Sequence, residues 1–203
     1  MGPWRCLRFG AMAMPAWGVA AYAALGYGLL PLGAMVLPAM TATYVAHPVL
    51  VYGHVFAAAL ALALGPWQFM PTLRNARPAL HRWMGCAYLG VGVLGGGLCG
   101  LCLSRLAQGG AVAQLGFATL ALAWLFTGMR AWLAIRRRAV AAHRRWMVRN
   151  FALTLAAVTL RVDLGVVLVA GLPFEAAYPA IAWLCWLPNL AAAELLLRRH
   201  QVA

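Results

Sequence analysis

Apolar residues along this chain neither alternate nor recur singly. They gather into six long runs separated by short polar connections. About 20 apolar residues is the length an α-helix needs to cross the ~30 Å hydrocarbon core of a bilayer. The runs cover about residues 11–37, 48–70, 83–104, 111–135, 150–171 and 178–197. The first is too long for a signal-peptide core and lacks a convincing cleavage site, so it reads as a retained helix. The pattern predicts an all-α fold, a polytopic transmembrane helical bundle of six spans. No connection has room for a soluble domain, so residues 1–203 read as one integral membrane domain.

Composition supports that reading. The chain is 65% hydrophobic and 9% charged, and a soluble protein of this size could not hide so much apolar surface from water. All 16 basic residues are Arg; they face only Asp163, Glu175 and Glu194, giving a net charge of +13. The absence of Lys fits a GC-rich bacterial genome. Such a charge elsewhere would suggest nucleic acid, but here the Arg sit in short connections beside the spans. Arg5 and Arg8 precede the first span, and Arg74, Arg77 and Arg82 join the second to the third. Arg136, Arg137, Arg138, Arg144, Arg145 and Arg149 join the fourth to the fifth, and Arg198 and Arg199 follow the sixth. The opposite side holds Arg105 and Glu175. The positive-inside rule then predicts a bacterial inner-membrane protein with both termini in the cytoplasm and its Arg against anionic lipid. Trp67, Trp83, Trp132 and Trp146 fall where an inner aromatic belt would lie. The five cysteines, Cys6, Cys86, Cys99, Cys102 and Cys185, are odd in number and mostly intramembrane. They form no disulfide framework, and the Cys99/Cys102 pair reads as packing.

The two large Arg-rich connections resemble each other. Leu73-Arg74 is followed after six residues by His81-Arg82 and then Trp83-Met84. Ile135-Arg136 is followed after six residues by His143-Arg144 and then Arg145-Trp146-Met147. Both the Arg and the His recur 62 residues apart, with one Arg inserted before the second Trp-Met. This spacing predicts a duplicated two-helix hairpin: spans two and three, then four and five. The alternative is chance likeness between two Arg-rich loops.

A parallel duplication has its axis along the membrane normal, and would set His81 and His143 at one depth. Two imidazoles from two helices at equal height are what the axial ligation of b-type haem requires. Arg82 and Arg144 beside them could pair with its propionates. The competing reading is that both His-Arg pairs contact lipid phosphate or cap a helix. His54 lies about six residues into the second span, roughly 9 Å deep at 1.5 Å per residue. It is a candidate quinol contact, proton relay or haem ligand, or it hydrogen-bonds a neighbouring helix. Its repeat partner is Gly116, so an outer haem site would lack one imidazole. Arg161 and Asp163 are costly inside the fifth span unless paired or facing water. At i,i+2 they diverge around the helix, so Arg161 reaches a haem propionate or polar cavity, or is buried against carbonyls. Arg130 and Glu194 are expected to pair with each other.

The run Gly53-His54, Leu64-Gly65-Pro66-Trp67-Gln68-Phe69, Leu73-Arg74 and Leu80-His81-Arg82-Trp83-Met84-Gly85 with Tyr88 resembles a known family. So does His143-Arg144-Arg145-Trp146-Met147-Val148-Arg149-Asn150-Phe151-Ala152-Leu153-Thr154, continuing to Thr159-Leu160-Arg161. Both are similar to the bacterial predicted-membrane-protein family catalogued as domain of unknown function 2306, over roughly residues 50 to 195. The resemblance implies a multi-pass membrane fold and no assigned activity. Asp163 departs from that pattern, which favours an apolar or aromatic residue there, and so does Cys86, where it favours Arg. A more distant topological likeness is to the six-helix cytochrome b-561 type of electron carrier. It implies His81 and His143 as ligands of an inner haem, while span four lacks the His that an outer haem would take.

The function expected from these residues is transmembrane electron transfer through b-type haem held by His81 and His143, with quinol near His54 as the candidate electron source. A small-solute transporter or channel lined by His54, Arg161 and Asp163 is the alternative, and a non-catalytic membrane scaffold the third reading. Whether the protein is an enzyme stays open. The chain has no nucleotide-binding Gly motif, no Ser-His-Asp constellation, and too few carboxylates for paired acid/base chemistry.

Overall fold

A computed structural model describes the backbone of residues 3–202 and the side chains of residues 9–199. Arg5, Cys6, Arg8 and His200 lie outside the described side chains. Among the described residues there is no strand, and six helices are long and apolar enough to cross a membrane. They span Phe9–Leu29, Pro48–Gln68, Pro78–Ser104, Gly110–Arg136, Val140–Val169 and Phe174–Arg199. The all-α, six-span class expected from the hydropathy pattern is therefore the class observed.

Proline sets several boundaries. It opens helices α2 (Pro38–Ala46), α3 (Pro48–Gln68), α4 (Pro71–Ala76) and α5 (Pro78–Ala87), at or next to the first helical position, where its missing N–H costs nothing. The helix expected over 11–37 ends eight residues early. Helix α1 (Pro3–Leu29) ends before Pro31, and Gly33 takes φ +101°, a conformation open to glycine. Hydropathy missed this because the turn at 30–37 is itself apolar. Spans three and five are longer than expected, starting at Pro78 and Val140. Hydropathy registers only the hydrocarbon layer, while the helices continue into the Arg-rich interface.

The chain divides into two compact units, Met1–Gly96 and Gly97–Ala203. In the first, Ala13, Ala16, Ala20 and Ala23 form the buried stripe of α1, which packs on α3. The indole of Trp17 donates to the carbonyl of Ala63 at 3.1 Å and its ring lies 5.2 Å from that of Trp67. The other flank of α3 meets α5 and the widened π-helical stretch Tyr88–Gly95 that carries it on into α6 (Gly96–Ser104). A Cβ on Gly92 would come within 2.9 Å of the Ala61 Cβ, so only glycine permits this approach. In the second unit, α7 (Gly110–Arg136) packs on α8 (Val140–Thr154) and on α10 (Phe174–Leu184). Helix α8 also meets α11 (Leu187–Val202), and α9 (Ala156–Val169) meets α10.

The duplication is visible in the helix boundaries. Helix α3 starts at Pro48 and α7 at Gly110; α5 starts at Pro78 and α8 at Val140. Both pairs are 62 residues apart, the offset of the His-Arg motif. Buried positions follow the same offset: Val51 and Ala113, Ala59 and Ala121, Leu62 and Trp124, Gly65 and Thr127, Tyr88 and Asn150. The connections differ. The first hairpin inserts α4, whereas the second turns at once through Arg138 at φ 58°. There Arg138 N–H donates to Ile135 O (3.0 Å) and Ala139 N–H to Ala134 O (2.9 Å), the paired bonds of a Schellman C-cap with Arg where Gly is usual.

Candidate functional site

The histidines are positioned by the hairpins. His81 and His143 each sit four residues after the N-cap of their helix, Arg77 and Ala139. Their amides donate to those residues' carbonyls at 3.0 and 2.9 Å. Equal steps from equal starts explain why the sequence offset survives into structure. In the second hairpin, the Nδ1 of His143 lies 2.9 Å from the carbonyl of Ala131 on α7. A carbonyl only accepts, so Nδ1 donates and Nε2 is the nitrogen left for another partner. This is how metal-binding imidazoles are usually oriented, with the far nitrogen anchored by a backbone carbonyl or carboxylate. In the first hairpin the Nδ1 of His81 is buried and its ring is half-exposed. Arg82 and Arg144 follow on exposed positions.

His54 is anchored in the same manner. Its Nδ1 lies 2.8 Å from the carbonyl of Gly96, at the end of the π-helical stretch, so it too donates from Nδ1. The Gly92–Ala61 approach holds that stretch against α3 within reach of the ring. Of the readings open for His54 in sequence, the bond to a neighbouring helix is the one observed.

Arg161, Arg130 and Glu194 find local partners. Arg161 donates through Nη1 to the carbonyl of Ala157, one turn back on its own helix, at 2.8 Å. The expected Arg130–Glu194 pair does not form. Glu194 pairs instead with Arg149, whose Nε and Nη2 reach both carboxylate oxygens, the latter at 2.9 Å. Helix α8 (Val140–Thr154) starts ten residues before Asn150, where the apolar run of span five begins, and this brings Arg149 level with α11. Arg130 stacks over Trp146 at 5.1 Å and Phe126 at 5.9 Å, while Arg149 lies 4.8 Å from the same indole. Each such contact is worth about 0.5–1 kcal/mol at an exposed site.

One cluster escaped the sequence reading. Asn150, fully buried on α8, donates through Nδ2 to Trp124 O (2.8 Å) and Thr127 Oγ1 (2.9 Å) on α7. The indole of Trp124 donates to Thr154 Oγ1 (2.9 Å), and that hydroxyl donates to Asn150 O (3.0 Å). Together with His143 to Ala131, these bonds run along one face of α8, at positions 143, 150 and 154. The available signal was polar residues at helical spacing in otherwise apolar spans: Trp124 with Thr127, and Asn150 with Thr154. They fix the hairpin that carries His143.

Cys86, Cys99, Cys102 and Cys185 are free thiols. Among the described residues no three of His, Cys, Asp and Glu converge as a metal cluster would need, although axial haem ligation calls for only two side chains. A family model described as predicted membrane protein (DUF2306) matches residues 51–197. Neither a curated protein nor a solved structure matches the chain.

Proposed function

The chain belongs to the DUF2306 family of predicted membrane proteins, and from that premise we propose that it is a membrane electron carrier holding b-type haem, with His143 and His81 each supplying an axial imidazole. The observation that carries the reading is the His143 ring. Its Nδ1–H is committed to Ala131 O, which leaves Nε2 as the coordinating nitrogen. His81 repeats that position at the start of the preceding hairpin's second helix. Haem would supply a one-electron iron couple. The protein's own residues would fix ring orientation, exclude water and set the charge around the iron. Arg82 and Arg144, next in sequence to the ligands, are the candidate partners for propionates, and Arg161 a more distant one. His54 is the proposed quinol contact. The Arg-rich connections are assigned to the cytoplasmic face of a bacterial inner membrane, against anionic lipid, with both termini on that side.

Titration of the purified protein with haemin tests this. The expected result is a saturable, low-spin absorbance spectrum. His143→Ala and His81→Ala should convert it to high spin or abolish it, while Arg82→Gln and Arg144→Gln weaken binding but keep the spin state. Haemin that binds the wild type and both His variants alike, without a low-spin signature, would refute the assignment.

A further inference from the structure

Spans five and six meet along a polar seam that the electron-carrier reading does not use. On α9, Thr159 and Asp163 are one turn apart and share a face. Asn189 on α11 donates through Nδ2 to Thr159 Oγ1 (2.9 Å) and to the carbonyl of Cys185 (3.2 Å), one turn back. Because α9 and the α10–α11 helix run antiparallel, one step outward from the Thr159–Asn189 pair brings Asp163 level with Cys185. The two are close enough to interact electrostatically. Cys185 is fully buried. The Oδ2 of Asp163 is also buried, and it has no hydrogen-bond partner among the described residues.

Asp163 lies six residues from the end of its span at Val169, roughly 9 Å inside at 1.5 Å per residue. A bare carboxylate at such a place is costly, and an intramembrane carboxyl without a counter-ion must acquire one or be neutralised. Arg161 does not serve. It points off another face of α9, with Nη1 held by Ala157 O. Within one turn of Asp163 on α9, and of Cys185 on the facing helix, Arg161 and the Cys185 thiol are the only other ionisable groups. We propose that Asp163 is the binding site for a monovalent cation taken up from water, H⁺ or Na⁺, with Thr159, Asn189 and the Cys185 carbonyl as its oxygen surround. A proton turns Oδ2 into a hydroxyl able to donate along the seam. A sodium ion would gather the same oxygens, the hard donors such a cation prefers. This is independent of haem.

Dicyclohexylcarbodiimide, which reacts with protonated carboxyls in apolar surroundings, tests the site on the intact protein. Only Asp163, Glu175 and Glu194 carry carboxyl side chains, so peptide mapping assigns the adduct without any variant. The expected adduct is on Asp163 at neutral pH, lost in Asp163→Asn and kept in Asp163→Glu and Glu175→Gln. If NaCl, but not choline chloride, suppresses labelling, the occupant is Na⁺; indifference to NaCl makes it H⁺. Labelling that reaches Asp163 only after unfolding in SDS, or that maps to Glu175 or Glu194 instead, would overturn the proposal.

Discussion

Replacing Thr154 by valine changes one oxygen for one methyl at nearly constant shape, in the middle of the network that joins α7 to α8. The structure makes its cost asymmetric. Thr154 Oγ1 accepts the indole N–H of Trp124 at 2.9 Å, and that ring is only 6% exposed. Valine leaves the buried donor unsatisfied, a penalty of about 1–3 kcal/mol in water-soluble cores. Inter-helix hydrogen bonds in membranes average about 0.6 and reach about 1.7 kcal/mol, so a loss of about 1–2 kcal/mol is expected. Thr127→Val should cost less, under about 1 kcal/mol, because Asn150 Nδ2 keeps its 2.8 Å bond to Trp124 O. The assay is unfolding in mixed detergent–SDS micelles followed by far-UV circular dichroism. The decisive comparison is a double-mutant cycle: in a Trp124→Phe background, where the donor is gone, Thr154→Val should cost almost nothing. An equal cost for both threonines, or an undiminished cost in that background, would show that the Trp124–Thr154 bond does not stabilise the hairpin.

Three further outcomes follow from local geometry, each measured as thermal stability in detergent. Gly92→Val should destabilise by about 1–3 kcal/mol through overpacking, since its Cβ meets Ala61 Cβ at 2.9 Å and Ala61 Cα at 3.3 Å. Gly90→Val, with no atom within 4 Å, should be silent. Arg138→Gly should stabilise by up to about 1 kcal/mol by relieving a left-handed residue at the α7 C-cap, and Arg138→Val should destabilise. Glu194→Gln should cost about 0.2–1 kcal/mol, shrinking in high salt, because the pair with Arg149 is only partly buried.

Much of this architecture is legible in the chain because lipid imposes a coarse rule. Spans two, three and four were located to within a few residues at most ends, and the 62-residue offset foretold which helices would start in register. What hydropathy could not see was helix outside hydrocarbon, as in α8 before Asn150, or non-helix inside an apolar run, as at residues 30–37. That blindness also misplaced Glu194: its partner follows from how far α8 extends, not from matched depth along two spans. The His143–Ala131 and His54–Gly96 bonds were hidden for another reason. Backbone carbonyls leave no trace in residue identity, so the acceptor that fixes an imidazole tautomer emerges only from helix packing. The Thr159–Asn189 seam was similarly hidden, since two lone polar residues become a pair only once the register of the last two spans is known.

The proposed ligation of haem by histidines of this membrane protein has one direct test. The direct measurement is the dithionite-reduced minus oxidised absorbance spectrum of protein purified from haem-replete cells. The expected result is a sharp α-band and shifted Soret peak of b-type haem, both lost in His143→Ala that still folds with native helicity. A wild-type protein with native helicity and a flat difference spectrum, even after haemin is supplied, would contradict it.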